Sequence, residues 1–571
     1  MYHSFSITTL FYTSIPEQPQ ALPLGQEPPD TPGLLDLKIV KSPLIILLLR
    51  SKLNHIELFA GCGGLSLGLK KVGFDLTFAN ELSPMAAETF SYNLLDEDLE
   101  ACAEKSITPK HTFWLSTQYK SLTKRLRENP FQYPELNQGL STLPEDPKKA
   151  EGGLIIGNII QLNEFLIKTP SYLEAIKSGF SQGGVDLISG GPPCQSFSLA
   201  GLRKKDCDRN TLPWEFARFV GLIKPKCVVL ENVTGILRPF NEDGKKYYAW
   251  LEVAKTFAKQ GYVPLCIHIN ARNAGVAQNR PRFIMIALRA DIYEKIASTF
   301  NFAEKQLFFP AHSFYIAEKE GKIAENYIYY DFSKNEHVRL FQDSFLSSFY
   351  TGEIISVADA INDLKFNSSE KPSAFVKHLN NYFYDVLPKK NQIDNHEPRS
   401  NSDIVRRRFR IYQVLQQCSS QSSKEITKVI KGVADDLTEP TWNEVKKFKF
   451  LYENGELISF DQKAFFVNFL KKHPTKKQTQ KALISDRPAP AALSIPDDAC
   501  HYDEGELRTL TVREMARIQS FPDAFTFKSK VTTGGKMRRF EVPQYTQVGN
   551  AVPPLLGVAI GKAVKNLLSR E

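Results

Sequence analysis

Two side chains stand out for the chemistry they could do. One is a thiol, Cys194, in the run Gly190-Gly-Pro-Pro-Cys194-Gln195; the other is a carboxylate, Glu231, in Glu231-Asn-Val233. Each follows an apolar, strand-like stretch, Val185 to Ser189 for the first and Cys227 to Leu230 for the second. A thiol can add to an electron-poor carbon, and a carboxyl can give a proton to the atom on which charge then collects. The prolines hold Cys194 at a fixed exit angle, because each locks its own φ and restricts the residue before it. A lone cysteine in so long a chain is ordinarily buried apolar filler. Here thiol and carboxylate both fall at carboxyl ends of strands, where ligand clefts open in α/β sheets.

The elements that must position them begin with Glu57-Leu-Phe-Ala-Gly61-Cys-Gly63-Gly64, preceded by His55-Ile56 and followed by Leu65, Leu67 and Leu69. This pattern predicts strand, tight glycine turn and helix, the opening of a nucleotide-type βαβ unit. The next strand-like run, Leu76 to Ala79, ends at Asn80-Glu81, which puts an acid where a ribose diol would donate to it. Ser66 stands where a dinucleotide pattern wants its third glycine, and Gly68 comes two residues later. That argues against NAD and for an adenosine-bearing cofactor without phosphates. Arg280 and Arg282 are two apart, so an extended strand points both to one face.

In these blocks the chain resembles the DNA (cytosine-5) methyltransferases, in the family's order, from about Leu53 to Ile560. Besides those above, the blocks are Gly157-Asn-Ile159, Gln278-Asn-Arg280-Pro-Arg282, Arg508 to Pro522, and Gln547-Val-Gly-Asn550-Ala-Val-Pro-Pro554. The resemblance implies an α/β fold: a Rossmann-like open twisted sheet of the S-adenosylmethionine-dependent methyltransferases with helices on both faces, plus a smaller target-recognition domain. It implies S-adenosylmethionine as methyl donor, no metal, and Cys194 as the nucleophile that adds to cytosine C6, making C5 able to attack the methyl group. Glu231 then donates to N3, which requires its carboxyl to be protonated part of the time. Arg280 and Arg282 line the cytosine pocket. By the same carry-over Phe59 packs on the adenine, Gly61 and Gly63 lie beneath the methionine part, Glu81 binds the ribose, and Asn158 and Ile159 adjoin the adenine. Pro193, Leu212, Asn550 and Ala551 complete the pocket. Gln195, Ser198, Arg203 and Arg209 are expected at DNA, on a loop from Ser196 to Leu212 that could hinge at Gly201 and close over a flipped base. The family usually has aspartate where this chain has Asn158, and more often aspartate than Glu57; an amide oxygen can still accept from an adenine amino group. Cys62 reads as structural.

The expected organisation is an extension over residues 1–52, rich in proline; a catalytic domain over 53–290 with an insert from about Leu94 to Glu151, to which no role is assigned; a recognition domain over 291–494; and a segment over 495–571 that packs back on the first βαβ unit. In the recognition region, Arg406 to Arg410, Lys446 to Phe450, Lys471-Lys472 and Lys476-Lys477 interleave cations with aromatics, and some should meet phosphate. Thr511, Arg513 and Glu514 look like a helix N-cap with an internal ion pair.

Composition is permissive. With 72 Lys+Arg against 63 Asp+Glu the net charge is +9, compatible with a polyanion but not a pointer to one. The eight cysteines are scattered without a Cys-x-x-Cys, which suggests neither a disulfide framework nor a zinc site, and a free catalytic thiol suits the cytoplasm. Leu44 to Leu49 is too short to span a bilayer, and the first residues lack a cationic start, so neither membrane nor export is expected. The partners expected are double-stranded DNA, at the nucleoid, and a cognate restriction endonuclease, with the chain acting as a monomer. The competing readings are a tRNA cytosine-5 methyltransferase, a solitary DNA methyltransferase, a non-catalytic DNA-binding module and an NAD-dependent oxidoreductase. The first would want a Cys-Phe-Thr tripeptide after the glutamate block, which is missing; the last two leave Cys194 and Glu231 without a reason.

Overall fold

Four consecutive residues before Glu231, Cys227 to Leu230, are fully buried. Successive strand residues face opposite sides, so both faces of that strand are covered, as in a parallel sheet between helical layers. The computed structural model describes residues 52–193 and 211–571 apart from 243–244, 323–326, 367–368, 391, 476–479 and 492–494. Its main sheet has nine strands: β1 (Leu53–Leu58), β2 (Phe74–Glu81), β3 (Thr112–Trp114), β4 (Gly153–Ile156), β5 (Leu187–Gly190), β6 (Cys227–Val233), β7 (Tyr262–Asn270), β8 (Pro281–Arg289) and β9 (Tyr330–Asp331). Their order is β9-β7-β8-β6-β5-β1-β2-β4-β3. Only β8 runs against its neighbours. The chain winds outward from β1 through β2 and β4, then returns to lay β5 beside β1, so the strand order switches between β1 and β5. That switch point is where an open α/β sheet forms its ligand crevice.

Helices α1 (Gly64–Lys71), α2 (Ile159–Lys168), α3 (Leu212–Ile223), α4 (Ala249–Lys259) and α5 (Phe302–Lys319) flank the sheet, with α2 to α5 touching in succession. The packing does not break at about Ala290, where the sequence suggests a domain boundary. Helix α5 lies against β7, and β9 extends the same sheet, so the residues up to Phe349 share the catalytic core. Apolar spacing alone could not show this, because β9 is only two residues long.

Beyond it, α6 (Asp403–Gln417), α7 (Ser420–Ile430), α8 (Glu439–Val445) and α9 (Lys463–Lys471) enclose a separate core that includes Ile411, Val429, Trp442 and Phe466. The chain then returns through α10 (Val512–Ile518), α11 (Gln544–Asn550) and α12 (Pro554–Leu568). Helix α12 packs on α1, the return expected from the sequence. Glycine makes this approach possible: a Cβ on Gly68 would lie 2.5 Å from the carbonyl carbon of Gly557. Thr511 caps α10 in a capping box with Glu514, as expected. The buried partner of Glu514 is Arg508, at 2.7 Å, whereas Arg513 spends its guanidinium on the carbonyls of Asp394, Pro522 and Phe525. Among the described residues no single helix is long and apolar enough to cross a membrane.

Candidate active site

Strands β5 and β6 are parallel neighbours, so the residues that follow them emerge side by side. Glu231 is the fifth residue of β6, and its Oε1 lies 2.5 Å from Nε of Arg282. In the antiparallel register Arg282 stands opposite Val233 and Ile284 opposite Glu231, so the pair is a diagonal one on a single sheet face. Both side chains are about one-tenth exposed, which leaves them at the rim of the crevice rather than sealed below it. A Cβ on Gly191 would come within 3.0 Å of Glu231 Oε2. Glycine there lets the chain leaving β5 run directly over the carboxylate. Asn232 ties the same two segments from the other side, its Nδ2 donating to the Pro192 carbonyl at 2.9 Å. The Pro192-Pro193 turn is thereby moored to the Glu231 strand just before Cys194. Cys194 itself lies outside the described residues, as do Gln195, Ser198, Gly201, Arg203 and Arg209.

Arg280 sits differently from Arg282. It is fully buried, and its Nη2 donates to the carbonyls of Gly549 and Ala551, each at 2.8 Å. Burial, reinforced by the Arg282 charge, holds its guanidinium well below the ordinary arginine value. Arg280 therefore fastens the Asn550-Ala551 segment to the root of β8. Ala551 is buried there and Asn550 is exposed.

The residues expected at the adenosine gather at the carboxyl ends of β1, β2 and β4. Phe59 takes a left-handed backbone, φ +55°, which is costly for an aromatic residue and typical of positions held under constraint at sites. Gly61 also has positive φ, and nothing lies within 4 Å of where its Cβ would stand, so a ligand can reach the backbone. Gly63 instead opens α1 and packs on Phe90 and Leu94. The Glu81 carboxylate accepts from the N–H of Gly61 at 2.7 Å and of Ser83 at 2.8 Å, bridging the loops after β1 and β2. Burial pushes this carboxyl up while those N–H groups pull it down. Asn158 caps α2, its Oδ1 accepting from Ile160 N at 2.9 Å, and Ile159 is buried behind it. The oxygen expected at adenine is thus already engaged along one direction. Leu212, half-buried, opens α3, and Pro193 is exposed. The cradle at Gly61, with the carboxylate beside it, fits an adenosine-bearing methyl donor. Among the described residues no cluster of three or more His, Cys, Asp or Glu could hold a metal ion.

Beneath the glycine turn lies a buried relay of His55, Ser66 and Glu57. The Ser66 hydroxyl is hydrogen-bonded to the Glu57 carboxyl, His55 Nε2 is 3.3 Å from the same hydroxyl, and His55 Nδ1 is 3.2 Å from the Asp75 carbonyl oxygen. If Nδ1–H goes to that carbonyl, Nε2 must accept from Ser66, and the Ser66 oxygen is left to take the proton of a neutral Glu57. Burial pushes Glu57 up to about 8 and His55 down to about 4, in keeping with a neutral chain. From the ordinary carboxyl value up to about 8 the folded state keeps a proton that the unfolded chain has released, so stability falls as pH rises through that window. His55 contributes the opposite slope below its ordinary value of 6.5, so melting temperatures of the wild type should fall between about pH 6.5 and about pH 8, and Glu57→Gln should flatten the decline; equal slopes would refute the assignment.

The family's model for C-5 cytosine-specific DNA methylase matches residues 53–113 and 172–566. The chain belongs to this family. It is a DNA (cytosine-5) methyltransferase. Among its relatives, the Type II methyltransferase M.Bpa9945I of Bacillus paralicheniformis is 28% identical, covering 90% of this chain and 99% of its own. M.DdeI of Desulfomicrobium norvegicum is 25% identical over 90% of this chain and 88% of its own. A solved structure of the S. pombe Dnmt2 methyltransferase is similar with a TM-score of 0.36 and 12% identity, covering 91% of this chain and 98% of that one. S-adenosylmethionine is the donor and DNA the substrate that this family membership implies.

Of the cationic clusters in the region expected to recognise the target, Arg406, Lys446, Lys447, Lys449, Lys471 and Lys472 of this methyltransferase are exposed. Arg410 is not available to phosphate: it is buried, with Nε on the Lys449 carbonyl and a guanidinium nitrogen 3.1 Å from Glu504. Lys476 and Lys477 lie outside the described residues. The moorings, Gly191 against the Glu231 carboxylate and Asn232 on Pro192, are not among the residues that the sequence singled out. The signal was present, since a glycine before a rigid Pro-Pro turn asks what needs to come close.

Proposed function

We propose that this methyltransferase acts on a cytosine turned out of the duplex at one short sequence, through a covalent bond between Cys194 and C6. Addition of the Cys194 sulfur forms the S–C6 bond and moves the C5–C6 π electrons toward C4 and N3. Glu231 donates its proton or a strong hydrogen bond at N3, and Arg282 orients Glu231 and meets the base carbonyl O2. C5 is then nucleophilic, and S-adenosylmethionine supplies the electrophilic methyl group. Loss of the C5 proton to a base returns electrons to the ring and expels Cys194. Arg280 acts by fixing the Asn550-Ala551 wall of the donor site. Glu81 holds the ribose, Phe59 and Ile159 the adenine, and Gly61 the methionine part, with Asn158, Pro193, Leu212 and Gly63 around them. Gln195, Ser198, Arg203 and Arg209 meet the DNA. The relatives are named Type II methyltransferases, which favours protection of DNA from a partner endonuclease at the same site. We place the enzyme in the cytoplasm, at nucleoid DNA, as a monomer.

The observation that carries this reading is the Glu231–Arg282 pair, set against Gly191 and joined through Asn232 to the turn that delivers Cys194. Transfer of labelled methyl to duplex DNA and to tRNA, followed by bisulfite sequencing, tests it. Label on one cytosine C5 in a short duplex sequence is the expected result. Label on tRNA alone would overturn the substrate.

A further inference from the structure

The family's model omits residues 114–171, and most of that gap is the insert that has no assigned role. The insert is not a remote appendage. Its β3 runs parallel to β4, so the chain leaving Trp114 emerges at the carboxyl edge of the sheet, beside Glu81, Asn158 and Ile159. Leu115 N donates to the Ile156 carbonyl at 2.9 Å. The Leu115 side chain then presses on Gly157 so closely that a Cβ there would sit 2.7 Å from Leu115 Cβ.

From this edge the insert turns back over the end of β2. Tyr133 donates its hydroxyl to the Leu82 carbonyl at 3.1 Å, one residue past Glu81. The Pro134 carbonyl accepts from Gln161 Nε2 at 3.2 Å, which joins the insert to the first turn of α2. Gln161 Oε1 is left buried without a hydrogen-bond partner, an acceptor on the seam between insert and site. The segment has its own internal bracing. Thr117 and Leu140 exchange backbone hydrogen bonds at 3.0 and 2.8 Å, and buried Glu128 accepts from Gln118 N at 2.9 Å and from the Thr117 hydroxyl. A braced loop can act as a wall; an unbraced one would only cover it.

We propose that residues 115–143 are the adenosine wall of the methyl-donor site, added by this chain to the shared fold, and that Tyr133 is its positioning residue. Tyr133 fixes the Leu82 carbonyl, and with it the turn from which the Glu81 carboxylate takes the ribose diol. This rests on the proposed donor site at Glu81. A wall of this kind serves the adenosine portion of the donor and neither the DNA nor the methyl transfer itself.

The test is calorimetric binding of S-adenosylhomocysteine and of adenosine to the full-length protein without DNA, for the wild type, Tyr133→Phe and Tyr133→Ala. Loss of one neutral hydrogen bond predicts about 3- to 10-fold weaker binding for Tyr133→Phe, of similar size for both ligands. The Michaelis constant for S-adenosylmethionine should rise in proportion, with kcat at saturating donor and DNA affinity unchanged. If Tyr133→Ala fails to fold, Tyr133→Phe decides alone, because its ring still fills the same space. Wild-type binding with an unaltered Tyr133→Phe affinity would overturn this proposal and leave the donor site standing. A fall in kcat or DNA affinity with donor binding intact would also overturn it. Failure of the wild type to bind either ligand would remove the donor site at Glu81 and this proposal together.

Discussion

Cys194→Ser should abolish methyl transfer to duplex DNA, with a loss on the order of 10⁴-fold or more, while DNA and donor still bind. A serine hydroxyl in the same place is a far weaker nucleophile at neutral pH than a thiolate, and removal of a sole nucleophile costs most of a covalent enzyme's rate. The decisive measurement is adduct formation. On DNA carrying 5-fluorocytosine the enzyme can add sulfur at C6 and pass the methyl to C5, but fluorine cannot leave C5 as the proton does. The elimination that frees Cys194 is then blocked. A complex stable in denaturing gels should form with the wild type in the presence of donor and be missing for Cys194→Ser. Retention of the adduct by the variant would move the nucleophile to another residue. The described cysteines are poor replacements: Cys62, Cys227, Cys266 and Cys500 are buried, Cys102 and Cys418 are half-buried, and burial pushes each of these thiols up.

Much of the candidate site was legible in the sequence because its chemistry is local there. Phe59 to Gly64 follow a strand whose apolar run is visible, Glu81 ends another and Glu231 stands near the end of a third, and the end of a strand is the place where a side chain meets the crevice. The return of α12 onto α1 was legible too, from the block Gln547 to Pro554 that opens the last helix, but the close approach at Gly68 and Gly557 was not. What sequence could not give was side-chain partnership across large separations. Nothing in Arg280 and Arg282 reveals that one pairs with Glu231 while the other holds the Gly549 and Ala551 carbonyls. Both are buried, and what separates them is the partner each meets, one of which comes from a segment hundreds of residues away. The helical region around Arg406 and Arg410 shows the same limit. Arg406 and Arg410 are alike in the sequence and, four apart, share one face of α6, yet Arg410 is buried against the Lys449 carbonyl and Glu504 while Arg406, one turn nearer the start of the helix, stays in solvent. The insert defeated sequence reading for another reason: β3 is three residues long, too short for a periodic signal.

Glu231→Gln separates two roles that the carboxyl could play. Glutamine keeps the shape and can still donate an N–H to N3, but it cannot deliver a proton. If proton transfer matters, single-turnover methylation should fall by about 10²- to 10⁴-fold, the usual span for loss of a general acid. Glu231→Ala should then be no better. If a hydrogen bond suffices, the glutamine variant should retain most of the rate and only the alanine variant should fail. Arg282 supplies the second half of the test, because Glu231 and Arg282 lie 2.5 Å apart and each is largely desolvated. Removal of one charge leaves the other with a poor substitute for water, so either single variant should also lower the melting temperature. In a double-mutant cycle with Arg282→Met, the combined loss of rate should be well short of the product of the single losses, as expected of groups that act as a unit. Independent losses would mean that Arg282 serves the base directly and not through Glu231. A Glu231→Gln rate within threefold of wild type, alongside an equally active Glu231→Ala, would remove the carboxylate from the mechanism and leave the pair as a strut between β6 and β8.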